Sequence, residues 1–83
     1  MDLCMITFRS VTPAQRAETI LRREGIGCTL SRTPRMLAEQ GCGYSIRVHY
    51  GQLPQAVEIL RKKGIAYGKA YRMQDKNPME VNV

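Results

Sequence analysis

Apolar and polar side chains alternate along short stretches of this chain, and each such stretch predicts a β-strand. In residues 3–8 every second position, beginning at Cys4, is apolar, so these side chains fall on one face of an extended strand. Three further stretches are predicted to be strands, at residues 26–31, 44–50 and 65–72. Strands with one apolar face are typical of a sheet that packs one side against a core.

Two stretches between these strands have apolar residues at helical spacing instead. The first helix is predicted over residues 13–24, with Thr12 as its N-cap and Pro13 as its first residue. The second is predicted over residues 53–63, again with a proline in its first turn. We expect Gly25 and Gly64 to end the two helices, since glycine adopts the backbone angles that a helix C-terminus needs.

The chain contains an internal repeat that organises these elements. Residues 17–26 align with residues 56–65, and both copies end in a glycine followed by an isoleucine. The order β-α-β-β-α-β with such a half-repeat predicts an α+β fold, a ferredoxin-like split β-α-β sandwich. We expect a four-stranded antiparallel sheet with two helices on one face, and another face open to solvent, a ligand or a second subunit. Residues 1–72 are predicted to form this single domain, and residues 73–83 a C-terminal tail.

Composition restricts the classes of protein to consider. Eighty-three residues, of which 43% are hydrophobic and 24% charged, are enough for one globular domain. No apolar stretch is long enough to span a membrane, and the first residues lack the features of a secretory signal. The three cysteines are odd in number and widely spaced, which favours reduced thiols in the cytoplasm. Cys4 and Cys28 alternate with apolar neighbours and are predicted to be core residues.

The chain carries a formal net charge of +6, which favours an acidic partner. The positive residues are spread along the sequence, however, and those at 61–63 lie where cations complement the end of a helix. A nucleic-acid partner is therefore disfavoured, although a small basic module that binds nucleic acid or protein stays open as the alternative function. His49 is the single histidine and no CxxC pair is present, so neither a metal site nor a cofactor is expected.

The segment 32–43 is the part of the chain that packing does not explain. It places Cys42 between Gly41 and Gly43, with arginines at positions on both sides, including Arg35. Nearby cations favour the thiolate, which is the nucleophilic form of cysteine, and amides of glycine-rich turns can face an anion. One hypothesis is that Cys42 is a reactive nucleophile, with Arg35, Gly41 and Gly43 stabilising the thiolate or an anion. The other is that it serves as a small side chain before a strand.

The sequence resembles a known family of small domains, the selenium/sulfur carrier-like family. The resemblance covers residues 4–72, and its most specific element is Thr-Pro-Arg at 33–35 followed by Cys-Gly at 42–43 and a strand. It implies that Cys42 holds a sulfur or selenium atom as a persulfide or selenopersulfide for transfer between partner proteins. The protein would then be a carrier rather than an enzyme, with sulfur- or selenium-transfer proteins as partners, and it would be a possible homodimer. The serines that usually precede the family's cysteine are replaced here by Glu-Gln-Gly at 39–41.

Overall fold

Two α-helices and five β-strands make up the part of the chain that the computed structural model describes, residues 3–33, 43–74 and 77–81. All strand pairs are antiparallel, and the order across the sheet is β2-β3-β1-β4-β5. The fold is therefore α+β, as predicted. The strands are β1 (Leu3–Phe8), β2 (Cys28–Arg32), β3 (Tyr44–His49), β4 (Ala70–Gln74) and β5 (Asn77–Val81), and the helices are α1 (Val11–Arg23) and α2 (Leu53–Lys62).

The prediction of four strands is wrong by one, because the chain turns back after β4 and adds β5 at the edge of the sheet. Ala70 pairs with Val81 at one end of this hairpin and Gln74 with Asn77 at the other. The strand predicted to open at residue 65 starts only at Ala70. Before it, Gly68 and Lys69 hydrogen-bond to Thr7 without forming part of a regular strand.

The repeated Gly-Ile sequence ends both helices in the same way. Gly25 has φ +82° and Gly64 has φ +69°, in the left-handed region where a side chain would be strained. In each copy the following isoleucine donates its N–H to the carbonyl five residues back, at 2.9 Å, as in a Schellman motif. The predicted helix ends are therefore confirmed.

The predicted start of α1 is wrong by two residues. The helix begins at Val11 and its N-cap is Ser10, so Thr12 lies inside the first turn. Ser10 has extended backbone angles but makes no side-chain hydrogen bond to the helix, and no acidic residue lies in the first turn. The first-turn N–H groups of α1 therefore have no side-chain cap and no neighbouring carboxylate in their own turn.

The main core lies between one face of the sheet and the two helices. It takes apolar residues from alternate positions of the strands and from the inner sides of α1 and α2, with the isoleucines that follow the helices closing its edge. Cys4 and Cys28 are both in this core, which confirms their predicted role. Among the described helices, none is long and apolar enough to cross a membrane.

The opposite face of the sheet, which the sequence predicts to be open, is buried along part of its length. His49 and Arg47 are exposed there, but Met5 and Thr7 are each 1% exposed and Ser45 is fully buried. The buried positions lie toward the end of the sheet at which β1 finishes and β3 begins. That end is the one nearest the predicted site.

The outer edge of β2 is covered by side chains of α1. The carboxylate of Glu18 accepts the N–H of Leu30 at 2.9 Å, and the guanidinium of Arg22 donates to the carbonyl of Cys28 at 3.0 Å. Glu18 and Arg22 also face each other at 3.6 Å, one helical turn apart. These contacts satisfy backbone groups that an exposed edge strand would offer to another chain.

We expect Glu18→Ala to lower the free energy of unfolding by about 1–2 kcal/mol, because it leaves the Leu30 N–H without an acceptor. Glu18→Gln keeps an acceptor oxygen and is expected to lose less. Glu58→Ala is the matched control, since its pair with Lys62 joins two exposed side chains. Urea denaturation of the four proteins checks this; equal losses for Glu18→Ala and Glu58→Ala would contradict it.

The other edge, β5, has a proline where its backbone faces outward. Lys69, the residue before β4, accepts the Thr7 N–H through its carbonyl. Every second residue from Lys69 onward therefore has its backbone N–H and C=O directed toward β1. Met73 belongs to that set, so its partner Pro78 has its backbone directed away from β4. Proline has no N–H, which leaves Glu80 as the only outward donor of β5.

We expect Pro78→Thr to increase self-association, because it restores a second outward donor to this edge. Met79→Thr is the control, since the backbone of Met79 is directed toward β4 and the substitution adds no donor. Sedimentation velocity over a concentration series measures the effect relative to the unsubstituted protein. An unchanged sedimentation coefficient for Pro78→Thr would show that the proline does not protect this edge.

Candidate functional site

The structure describes one of the four predicted site residues. Cys42, Arg35 and Gly41 lie outside the described residues, whereas Gly43 lies inside them. The carbonyl of Gly43 accepts the N–H of Thr33 at 3.0 Å, which continues the β2–β3 ladder by one step. The segment that carries Cys42 is thus attached to the sheet at two adjacent points.

The Cβ position of Gly43 is directed to the face of the sheet opposite the helices. Among the described residues other than its chain neighbours, a Cβ built on it would meet no atom within 4 Å. Because successive residues of a strand alternate between faces, Gly43 shares this face with Ser45, and the paired strand contributes Ser31 and Thr33. The register therefore brings three hydroxyl-bearing residues around a glycine.

The three hydroxyls are buried without partners. Within the described chain, the side-chain oxygens of Ser31, Thr33 and Ser45 have no hydrogen-bond partner. Ser45 is 0% exposed and Thr33 is 8% exposed. Leaving a buried polar group unsatisfied costs on the order of 1–3 kcal/mol, so the arrangement calls for an explanation.

The neighbouring hydroxyl in the same row is fully used. Thr7 pairs with Ser45 across β1 and β3. Its Oγ1 donates to the Lys69 carbonyl at 3.2 Å and accepts the Lys69 N–H at 2.9 Å. A hydroxyl that serves packing on this face is thus satisfied by the backbone, unlike the three beside Gly43.

Exposed arginines surround this end of the sheet. Arg47 follows Ser45 on the same face, and Arg32 lies on the other, with its guanidinium carbon 6.0 Å from the centre of the Tyr44 ring. Among the described residues, neither arginine forms an ion pair; the pairs that the structure shows are formed by other residues. No carboxylate of the described residues therefore neutralises their positive charge.

The N-terminus of α1 lies at the same end. Arg22 contacts Cys28 and Glu18 contacts Leu30, so α1 and β2 run in opposite directions beside each other. A step of four residues along the helix and a step of two residues along the strand each cover about 6 Å. One further step places Ala14 level with Arg32. The positive end of the α1 dipole is therefore directed toward the end of β2.

The two described cysteines are unsuited to nucleophilic chemistry. Cys4 is fully buried, and burial raises the pKa of the Cys28 thiol, an effect that Arg22 partly offsets and Glu18 reinforces. Both residues pair with Val48, one from each side. They are therefore two strand spacings apart, about 10 Å, which is too far for a disulfide.

A groove lies at the end of the molecule opposite Gly43. Its volume is about 690 Å³, and it is formed by Tyr50, the start of α2 and Val81 of β5. Tyr50 follows the last residue of β3, whereas Gly43 precedes the first, so this groove and the hydroxyl cluster do not share a site. Among the described residues, no group of three His, Cys, Asp or Glu side chains could hold a metal ion.

Residues 3–72 match a family model described as "Putative Se/S carrier protein-like". The chain belongs to this Se/S carrier-like family. The resemblance seen in the sequence is thereby confirmed. Neither the search of curated proteins nor the search of solved structures gives a match. The match covers β1 to β3, both helices, the first three residues of β4 and the segment that holds Cys42.

Sequence reasoning missed the hydroxyl cluster. The signal was present as small polar residues at every second position, Ser31 and Thr33 in one strand and Ser45 in the next. Such a pattern ordinarily indicates a solvent-facing side of a sheet. That these side chains are buried depends on the tertiary structure and could not be read from the pattern.

We expect Cys4 and Cys28 to resist iodoacetamide in the native protein and to react after denaturation, as counted by mass spectrometry.

Because the pKa of Cys28 is raised in the folded state, folding favours the protonated thiol, and the contribution of this thiol to stability is present at neutral pH. It is lost as the pH rises above about 8.5, where the unfolded thiol ionises. Cys28→Ala should flatten this alkaline decline; an identical decline in both proteins would contradict the assignment.

Proposed function

We propose that this protein is a carrier that holds a sulfur or selenium atom on Cys42 and passes it between transfer proteins in the cytoplasm. The observation that supports this most directly is the family match over residues 3–72. The proposal assigns the chain a covalent cargo role rather than turnover of a substrate. Arg35, Gly41 and Gly43 are proposed to stabilise the thiolate and its anionic adduct.

Elimination among the thiols supports Cys42 as the carrier. Of the three cysteines in the sequence, Cys4 and Cys28 are part of the core, where they act as small apolar residues. An enzyme that delivers sulfur needs a thiol that it can reach. Position 42, bonded to a glycine that adjoins open space, is the remaining candidate.

The charges around Gly43 support an ionised thiol there. The positive end of α1, the exposed Arg32 and the exposed Arg47 all lie at this end of the sheet. A helix N-terminus and nearby arginines both favour the thiolate over the thiol. The same groups would favour a persulfide anion after loading.

The loading step is a thiol–persulfide exchange. The Cys42 thiolate attacks the outer sulfur of a donor persulfide, R–S–SH, forming a new S–S bond as the donor's S–S bond breaks. The products are Cys42–S–SH and the donor thiolate R–S⁻, so charge is conserved and no external oxidant or reductant is needed. Delivery repeats the same exchange with an acceptor thiolate.

The carrier would depend on a partner to release its cargo. Gly43 is five strand residues from Val48, about 16 Å, and Val48 pairs with both core cysteines. Both core cysteines therefore lie more than about 10 Å from Gly43, the described residue next to position 42. This separation supports an acceptor thiol that comes from another protein.

Two further assignments belong to the same proposal. We assign the first four strands and the two helices to a ferredoxin-like arrangement, supported by β3 lying between β1 and β2, the two strands that α1 connects.

A homodimer stays a prediction. Of the two edges of the sheet, β2 is covered by α1 and β5 has a proline, so a dimer would be expected to use a face of the sheet.

Incubation with a persulfide donor should add about 32 Da, one sulfur atom, to the protein and none to Cys42→Ser. Intact-mass spectrometry measures the adduct, and peptide mapping locates it. Cys28→Ser is the matched control, expected to load as the unsubstituted protein does. An adduct that persists in Cys42→Ser, or no adduct on the unsubstituted protein, would overturn the carrier proposal.

A further inference from the structure

We infer that the hydroxyls of Ser31, Thr33 and Ser45, together with the guanidinium of Arg47, form a binding site for a small anion on the face of the sheet opposite the helices. The chemical class of ligand is a small chalcogen anion, with a terminal sulfur, selenium or oxygen that accepts hydrogen bonds. This inference extends the carrier proposal by naming donors for the cargo. It stands on described residues alone.

The register places the donors together. Ser31 pairs directly with Ser45, and Thr33 hydrogen-bonds to Gly43 one step along the ladder. Directly paired residues have Cβ atoms about 5 Å apart, so hydroxyls on neighbouring pairs of the same face can converge on one atom. Arg47 follows Ser45 on that face and adds a positive charge.

Burial and orphaned donors argue for a ligand rather than for packing. Each hydroxyl has a proton to donate, and none of the three has an acceptor within the described chain. Thr7, in the same row, shows that this sheet satisfies a structural hydroxyl with two backbone bonds. A donor withdrawn from water also binds an anion more strongly than an exposed one.

Gly43 leaves room for the anion. Among the described residues, no atom lies within 4 Å of where a Cβ of this residue would be. A side chain there would point to the face on which the hydroxyls lie. The reason for a glycine at this position is therefore spatial, since its φ is not in the left-handed region.

The experiment titrates ¹⁵N-labelled protein with sodium thiosulfate, using Cys42→Ser as the background so that no thiol reacts with the anion. Sodium chloride keeps the ionic strength constant. We expect saturable amide shifts at Ser31, Thr33, Gly43 and Ser45. Adding Ser45→Ala or Arg47→Gln should weaken binding by about tenfold, since each removes a hydrogen bond or charge to the anion.

Thr29→Ala is the matched control. Thr29 lies on the same strand and face as Ser31 but is exposed, so its loss should leave the affinity unchanged. Ser45→Ala should also keep or raise the melting temperature, because it removes an unpaired buried hydroxyl. A lower melting temperature together with unchanged affinity would assign Ser45 to the fold alone and overturn the inference.

The outcomes separate this inference from the carrier proposal. Saturable binding that depends on Ser45 and Arg47 supports the anion site even if Cys42 takes up no sulfur. Absence of saturable shifts, or equal affinity in all variants, overturns the anion site even if the persulfide adduct forms. Replacing thiosulfate with sulfate shows whether a terminal sulfur is preferred; equal affinity for both narrows the ligand class to oxyanions.

Discussion

The register between β2 and β3 is the constraint on which the rest of this structure depends. It pairs Cys28 with Val48 and Ser31 with Ser45, so one face of the hairpin joins the core and the other presents hydroxyls beside Gly43. A slip of β2 by one residue would exchange its two faces, exposing Cys28 and Leu30 and turning Thr29 and Ser31 toward the core. The hydrogen bond from Thr33 to Gly43 and the contacts of α1 with the outer edge both hold this register.

The same register separates structural sulfur from the sulfur proposed to react. Cys4 and Cys28 flank Val48 in the core, and burial raises the pKa of the Cys28 thiol. The segment that holds Cys42 joins the sheet at its charged end, close to the start of α1. A thiol in the core is desolvated, whereas the proposed carrier thiol belongs to a segment that joins the sheet beside exposed arginines and a helix N-terminus, groups that favour a thiolate.

A cluster of buried hydroxyls that have no partner among the described residues lowers the stability of the fold, and the anion site proposed above gives these hydroxyls an acceptor. The serines that usually precede the family's cysteine are absent from positions 39–41. Ser31, Thr33 and Ser45 offer hydroxyls from the sheet instead, which would move the donors from the loop onto a rigid support. Donors on paired strands are held at a fixed spacing by the ladder between β2 and β3, so less ordering is required on binding.

The sequence alone determined the strands β1 to β3, both helices, their glycine ends and the roles of Cys4 and Cys28, because these follow from local periodicity and backbone preference. The family was also readable, from Thr-Pro-Arg at 33–35 and Cys-Gly at 42–43. The N-cap of α1 and the fifth strand were not, since Ser10 and Thr12 are both good caps and β5 carries Pro78, which a strand accepts only at an edge. Only the tertiary structure decided that the side-chain oxygens of Ser31, Thr33 and Ser45 are buried and have no partner among the described residues. Alternation assigns a residue to a face, but burial and hydrogen bonding depend on what the completed fold places against that face.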